Sequence, residues 1–194
     1  MAMNALTPVM TGLTWQEFLD LPEEYRHASL IDGELYVSRP APPHQYVVTR
    51  LLHAFVTWID DGEGRGEVTH EPAVQITVNR GYMPDVAWYC EDKIAPRDQL
   101  AAYEGAPDLV VEVLSPSTER IDTIRKRNDY PTVGVSELWL IDPYEPSART
   151  VRFDTEHETT LTSVDDALTS PLLPGFSVTL RDLVDRRSSR RRPG

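Results

Sequence analysis

Residues 107–114 read PDLVVEVL, apolar from Leu109 onward apart from a single acid, Glu112. So short an apolar run fits a strand buried on both faces at the centre of a sheet. A second core strand reads ELWLID over 137–142. Between them, Thr118 to Tyr130 carries helical spacing, with Ser117 as its cap and Pro131 and Gly134 as its stop. Strand, helix and strand in that order predict a right-handed parallel crossover. The fold class that follows is α/β (α+β), a mixed central sheet flanked by helices.

Working outward, TWQEFLDLPEE (14–24) opens on a Thr14–Glu17 capping box and predicts a short amphipathic helix. ASLIDGELYVS (28–38) places two apolar runs around Asp32-Gly33, a strong hairpin signal. HQYVVTRLLHAFVTW (44–58) repeats apolar residues at helical spacing, and Asp60 to Gly66 supplies a polar, glycine-containing stop. EVTHEPAVQITV (67–78) alternates as one strand, a turn is expected at Asn79-Arg80-Gly81, and PDVAWYC (84–90) reads as a strand opened by proline, all antiparallel. Glu91 to Pro107 is expected to be a surface loop with some helix. RTVRFD (149–154) is a further strand, and a short helix is expected near Leu180 to Asp185. Trp58, Trp88 and Trp139 read as core. His53 reads as a core histidine, and His44 as a capping or surface residue, a phosphate or scaffold role being its alternative.

At 194 residues the chain fits one domain, since single cores stop growing at about 250 to 300 residues. The expected division is a domain over 1–185 and a basic tail over 186–194, where Arg186, Arg187, Arg190, Arg191 and Arg192 crowd together. No apolar run approaches the roughly 20 residues that span a bilayer, and no secretory signal pattern opens the chain, so a cytoplasmic protein is expected. Cys90 is the only cysteine, which excludes an intrachain disulfide and a cysteine-based zinc site. The formal net charge of −12 repels phosphates on average, so a nucleic-acid partner would have to be held by local features.

Three acids stand out in extended segments where acids are unfavourable: Glu34 after the hairpin turn, Asp85 at the start of PDVAWYC, and Glu112. A buried carboxylate costs several kcal/mol unless paired or bound to a cation. Together they suggest a hard-cation site, for which Mg²⁺ (or Mn²⁺) suits the oxygen ligands. Asp122, Lys126 and Tyr130 at i, i+4 and i+8 lie on one helix face, from which Lys126 could reach a metal-bound water and Tyr130 a phosphate. The plainer alternatives are a solvated hairpin for Glu34, a strand end for Asp85, an ion pair with an arginine such as Arg125 for Glu112, and a surface salt bridge for Asp122 with Lys126.

The stretches LIDGELYVSRPAPPHQYVVTRLL, MPDVAWY and GAPDLVVEVLSPSTERIDTIRKRNDYPTVGVSELWLIDP cover most of Leu30 to Pro143. In them the chain resembles the bacterial restriction-endonuclease family of Uma type, a branch of the PD-(D/E)XK nuclease superfamily. The resemblance implies a restriction-endonuclease-like fold and a Mg²⁺-dependent endonuclease acting on nucleic acid, with DNA the expected substrate. It implies Asp85 and Glu112 as metal-binding acids, Val113 as the residue whose backbone carbonyl joins them, and Glu34 as the upstream acid. Leu114 stands where the simple motif has lysine, and that role passes to Lys126, with Tyr130 on the same face. The rival reading is a noncatalytic nuclease-fold protein for binding or assembly. Cutting both strands of a duplex is simplest with two sites, which makes a homodimer compatible with the first reading.

Overall fold

A computed structural model of the protein describes residues 7–25, 28–37, 40–95, 103–116 and 118–184. Ser117 as a cap and the basic tail over 186–194 lie outside the described residues. Helix α1 (Trp15–Leu19) begins as the sequence predicts: the Thr14 hydroxyl accepts from the Glu17 N–H at 3.3 Å, and a Glu17 oxygen accepts from the Thr14 N–H at 2.8 Å. Trp15 and Phe18 bury its apolar face. Strands β1 (Ala28–Ile31) and β2 (Glu34–Val37) then form the expected hairpin. Asp32 and Gly33 both take positive φ, 54° and 81°, which a two-residue turn of the primed type requires and Asp-Gly readily supplies.

Helix α2 (Pro42–Asp60) puts Val47, Leu51, Phe55 and Trp58 on one buried seam, and proline starts it where a missing N–H costs nothing. The expected single strand over 67–78 is two strands. β3 (Glu67–Thr69) and β4 (Val74–Thr77) belong to different sheets. Glu71 adopts φ 52° and Pro72 has no N–H to donate, so alternation continues in the residues while the ladder breaks in the backbone. The predicted turn also moves back by a residue, because Val78-Asn79 makes it and Arg80-Gly81-Tyr82 is β5 (Arg80–Tyr82). Gly81 leaves room for the Trp15 ring, whose carbons stand where a Cβ would be.

β6 (Val86–Tyr89) and β7 (Leu109–Val113) pair antiparallel; β7 and β8 (Glu137–Asp142) pair parallel, as the crossover reading requires. The crossover is a composite helix: π-helical over Ile121–Lys126, one α turn, α3 (Arg127–Asp129), and a 3₁₀ turn over Tyr130–Val133. Pro131 does not stop it, since it falls in the first turn of the 3₁₀ segment; Gly134, at φ 98°, does. β9 (Ser147–Arg152) and β10 (His157–Leu161) extend the sheet, β11 (Ala167–Leu168) and β12 (Val178–Thr179) form a small ribbon, and α4 (Leu180–Val184) closes the described chain.

Among the described residues the main sheet runs β10-β9-β8-β7-β6-β3, and a second runs β2-β1-β5-β4. Side chains from β7 and β8 alternate between two cores. Val111, Val113, Trp139 and Ile141 pack with α2 and α4 on one face; Trp58 and Trp88 join them. Val110, Leu138 and Leu140 pack on the other face with Tyr130 of the composite helix and with Ile31, Val74 and Tyr82 of the smaller sheet. One flank of the central sheet is thus helical, and the other combines a helix with a second sheet, a refinement of the purely helical flanks expected. His53 points outward from α2 and is exposed, contrary to its expected core position.

Candidate active site

Glu112 sits on the face of β7 that looks toward the composite helix, 2% exposed. Lys126 approaches from the π-helical segment, its Nζ 2.7 Å from Glu112 Oε2. Tyr130, one helical turn on, donates its hydroxyl to Glu112 Oε1. Asp122, one turn back, places Oδ1 2.8 Å from Lys126 Nζ, a charge contact rather than an aligned hydrogen bond. The i, i+4, i+8 stripe predicted from sequence therefore exists, but it is buried instead of solvated, and the acid it serves is Glu112. Arg125, the arginine considered as a partner for Glu112, pairs with Asp32 at 3.0 Å instead.

Asp85 immediately precedes β6 and comes alongside the end of β7. Its Oδ2 accepts the Val113 N–H at 2.7 Å and lies 3.1 Å from His44 Nε2. Asp85, Glu112, Val113, Asp122 and Lys126 line one cavity of about 40 Å³, room for a few waters or an ion with part of its shell. Ser115 and Thr118, whose hydroxyls lie 2.8 Å apart, form its rim at the start of the helix, and Ser29, His44 and Glu71 complete its polar lining.

Glu34 and Tyr130 are placed differently from the rest. Glu34 stands on β2, where its carboxylate accepts the Tyr36 hydroxyl at 2.5 Å, and it does not line the cavity. From that hairpin it is Ala28 and Ser29 on β1 that reach the cavity wall. Tyr130 is fully buried behind Glu112, with its hydroxyl already engaged. Sequence reasoning also under-read His44 and Asp122. His44 continues the buried α2 seam one step before Val47, a signal visible in the spacing once the helix start at Pro42 is known.

Charge in the cavity is unbalanced. Among the described lining residues four carboxylates, Glu71, Asp85, Glu112 and Asp122, face one ammonium, Lys126, and one imidazole, His44. Burial pushes the Glu112 carboxyl up to about 8 against the pull of Lys126, and Asp122 and Asp85 add to the rise. Burial alone would lower the Lys126 ammonium, but Asp122, Glu112 and Asp85 more than offset it, so the lysine is held charged. Burial and the Glu112 charge raise the Tyr130 hydroxyl, which stays a donor. Behind Lys126, the Tyr82 ring lies 5.6 Å from Nζ, and Tyr82 donates to Asp129, which Arg80 also holds at 3.1 Å.

Among the described residues, no three His, Cys, Asp or Glu side chains come together as a group that could hold a metal ion. The donor set nevertheless fits a hard divalent ion. Such an ion keeps several waters and needs one or two carboxylates, and two with excess negative charge stand here in a small polar cavity.

The architecture around this cavity is shared with a solved structure. A crystal structure described as "a putative nuclease belonging to DUF820" from Anabaena variabilis superposes with a TM-score of 0.76, covering 89% of this chain and 98% of that one at 20% identity. The chain itself belongs to the Uma2 family, described as "Putative restriction endonuclease", whose sequence profile matches residues 15–181. A Synechocystis protein named "Uncharacterized protein" is 32% identical over 116 residues, so the match spans little more than half of that relative, 57% of each chain. No helix among the described residues is long and apolar enough to cross a membrane.

Proposed function

We propose that the protein is a Mg²⁺- or Mn²⁺-dependent endonuclease that hydrolyses phosphodiester bonds of nucleic acid, DNA being the expected substrate. The observation that carries this is the meeting of Asp85, Glu112 and Lys126 around one cavity, drawn from three separate elements. Family and fold support a nuclease. In this reading Asp85, Glu112 and the Val113 carbonyl hold the cation. When bound, it would polarise the phosphodiester and lower the pKa of an attacking water.

The chain's own residues supply the rest. Lys126, kept protonated, places a fixed positive charge beside Glu112, where negative charge develops as water attacks. Asp122 fixes that ammonium from the other side. Tyr130 anchors the second Glu112 oxygen, so the carboxylate cannot rotate away from the cavity. Glu34 has a lesser claim, since its carboxylate is committed to Tyr36 outside the cavity. Two copies acting as a homodimer would cut both strands of a duplex.

One observation favours a noncatalytic protein instead: both Glu112 oxygens are already satisfied by Lys126 and Tyr130, as a purely structural network would have them. Cleavage of supercoiled plasmid and single-stranded oligonucleotides with Mg²⁺ or Mn²⁺ separates the two. The nuclease reading expects chelator-sensitive cleavage that is lost in Asp85→Ala and in Glu112→Ala. Metal-dependent cleavage that survives both substitutions, or none by the wild type, favours the noncatalytic protein.

A further inference from the structure

The buried seam of α2 is formed by residues 44, 47, 51, 55 and 58, and only the first of these is polar. His44 is 7% exposed, and its Nδ1 is fully buried with no hydrogen-bond partner among the described residues. An unpaired buried polar atom costs about 1 to 3 kcal/mol, so an aliphatic side chain would serve packing better. What the imidazole gains is Asp85: Nε2 lies 3.1 Å from Oδ2. In the neutral ring, donation from Nε2 makes Nδ1 the bare nitrogen.

The Val113 N–H donates to the same oxygen at 2.7 Å. Both donors thus fall on Oδ2, and among the described residues none falls on Oδ1. His44 and Asp85 also line a second, larger groove of about 340 Å³ along α2. Asp85 is therefore approached from two openings, with more room to rotate than the enclosed Glu112.

We propose that His44 is a positioning residue: with the Val113 N–H it locks Oδ2 of Asp85, leaving Oδ1 as the oxygen presented to a divalent cation beside Glu112. The inference rests on the metal-dependent reading above, and it assigns His44 no contact with the cation or with substrate. Outer partners of metal ligands act in this way by fixing ligand orientation, and losing one typically costs about 10- to 100-fold in affinity.

The test is Mn²⁺ affinity of the full-length protein, read from the electron paramagnetic resonance signal of free Mn²⁺. His44→Leu keeps apolar volume and loses the donor, and it is expected to bind roughly 10- to 100-fold more weakly. His44→Gln, whose amide nitrogen extends about as far as Nε2, is expected to recover most of the loss. In an Asp85→Ala background, where binding is already weak, His44→Leu should add nothing. If His44→Leu does not fold, His44→Asn, whose amide is too short to reach Oδ2, takes its place. Wild-type affinity in the Leu or Asn variant overturns the proposal and leaves the metal site standing. Equal weakness in Gln and Leu also overturns it, because packing and not the donor would then matter. Absence of any Asp85-dependent Mn²⁺ binding by the wild type overturns both the proposal and the metal-dependent reading.

Discussion

Glu112 and Glu137 occupy neighbouring parallel strands, each 2% exposed, and they project from opposite faces of the same sheet. Glu137 lies on the face that carries Trp139, and it accepts two neutral donors, Trp139 Nε1 and Ser170 Oγ, each at 2.6 Å. Among the described residues it has no ion-pair partner within 4 Å, although the charge of Arg152, its cross-strand neighbour on β9, also acts on it. Glu112 faces a cavity, a cation and two further acids. Burial raises both carboxyls, so a displaced pKa does not separate them. What separates them is company: a buried acid among neutral donors is a structural hydrogen-bond hub, and one in an acid-rich cavity with a single ammonium is a candidate ligand.

The largest contrast should be in catalysis. Glu112→Gln is expected to lower metal-dependent cleavage by more than about 100-fold, beyond the usual loss of an outer partner, while Glu137→Gln leaves cleavage per folded molecule unchanged. Equal losses, measured on oligonucleotide substrates after normalising for folded fraction, would erase the distinction. Next in size is the lysine. Lys126→Met leaves Glu112 and Asp122 buried without their cation, a break that costs about 3 to 5 kcal/mol in comparable pairs. Thermal melts should show that loss, and Mn²⁺ should raise the melting temperature of Lys126→Met more than that of wild type. A variant insensitive to Mn²⁺ would count against cation binding at these carboxylates.

On the Glu137 side the effects are confined to stability. Glu137→Ala strands the Trp139 N–H and the Ser170 hydroxyl, for an expected loss of roughly 1 to 3 kcal/mol in denaturant unfolding, with no response to Mn²⁺. The smallest effect is in pH. Because burial raises the folded carboxyl, its favourable contribution is fully present below the unfolded value of about 4.3 and is lost as pH rises through the raised one. The stability difference between Glu137→Gln and wild type should therefore move in favour of the variant over that interval. Movement in the opposite direction would mean that the two donors outweigh burial.

Local patterns were legible in the chain. The Thr14–Glu17 box, the Asp32-Gly33 turn, the seam of α2 and the strands around Glu112 and Trp139 each depend on residues within one or two turns, and all are present. Asp85, Glu112 and Lys126 were also nameable, through acids in extended segments and the likeness to a nuclease family. Features fixed by long-range contact were not. The 67–78 segment keeps its alternation while Glu71 and Pro72 send its halves to different sheets. Glu34 alternates correctly but lies on the strand next to the one that reaches the cavity. His44 meets Asp85 across 41 residues, so its place on the α2 seam follows from local spacing but its partner does not. Glu137 looks as out of place in ELWLID as Glu112 does in DLVVEVL, and what sets it apart is its pair of neutral donors, Trp139 beside it and Ser170 33 residues away, the second of which no local pattern reveals.

On the reading proposed above, Asp85 and Glu112 hold one divalent cation on the cavity face of the sheet. A crystal soaked in Mn²⁺ and measured at the manganese absorption edge tests it most directly. An anomalous peak is expected between the two carboxylates and the Val113 carbonyl, absent in Glu112→Gln and retained in Glu137→Gln. A saturated soak with no peak there, or with one unaffected by Glu112→Gln, would contradict it.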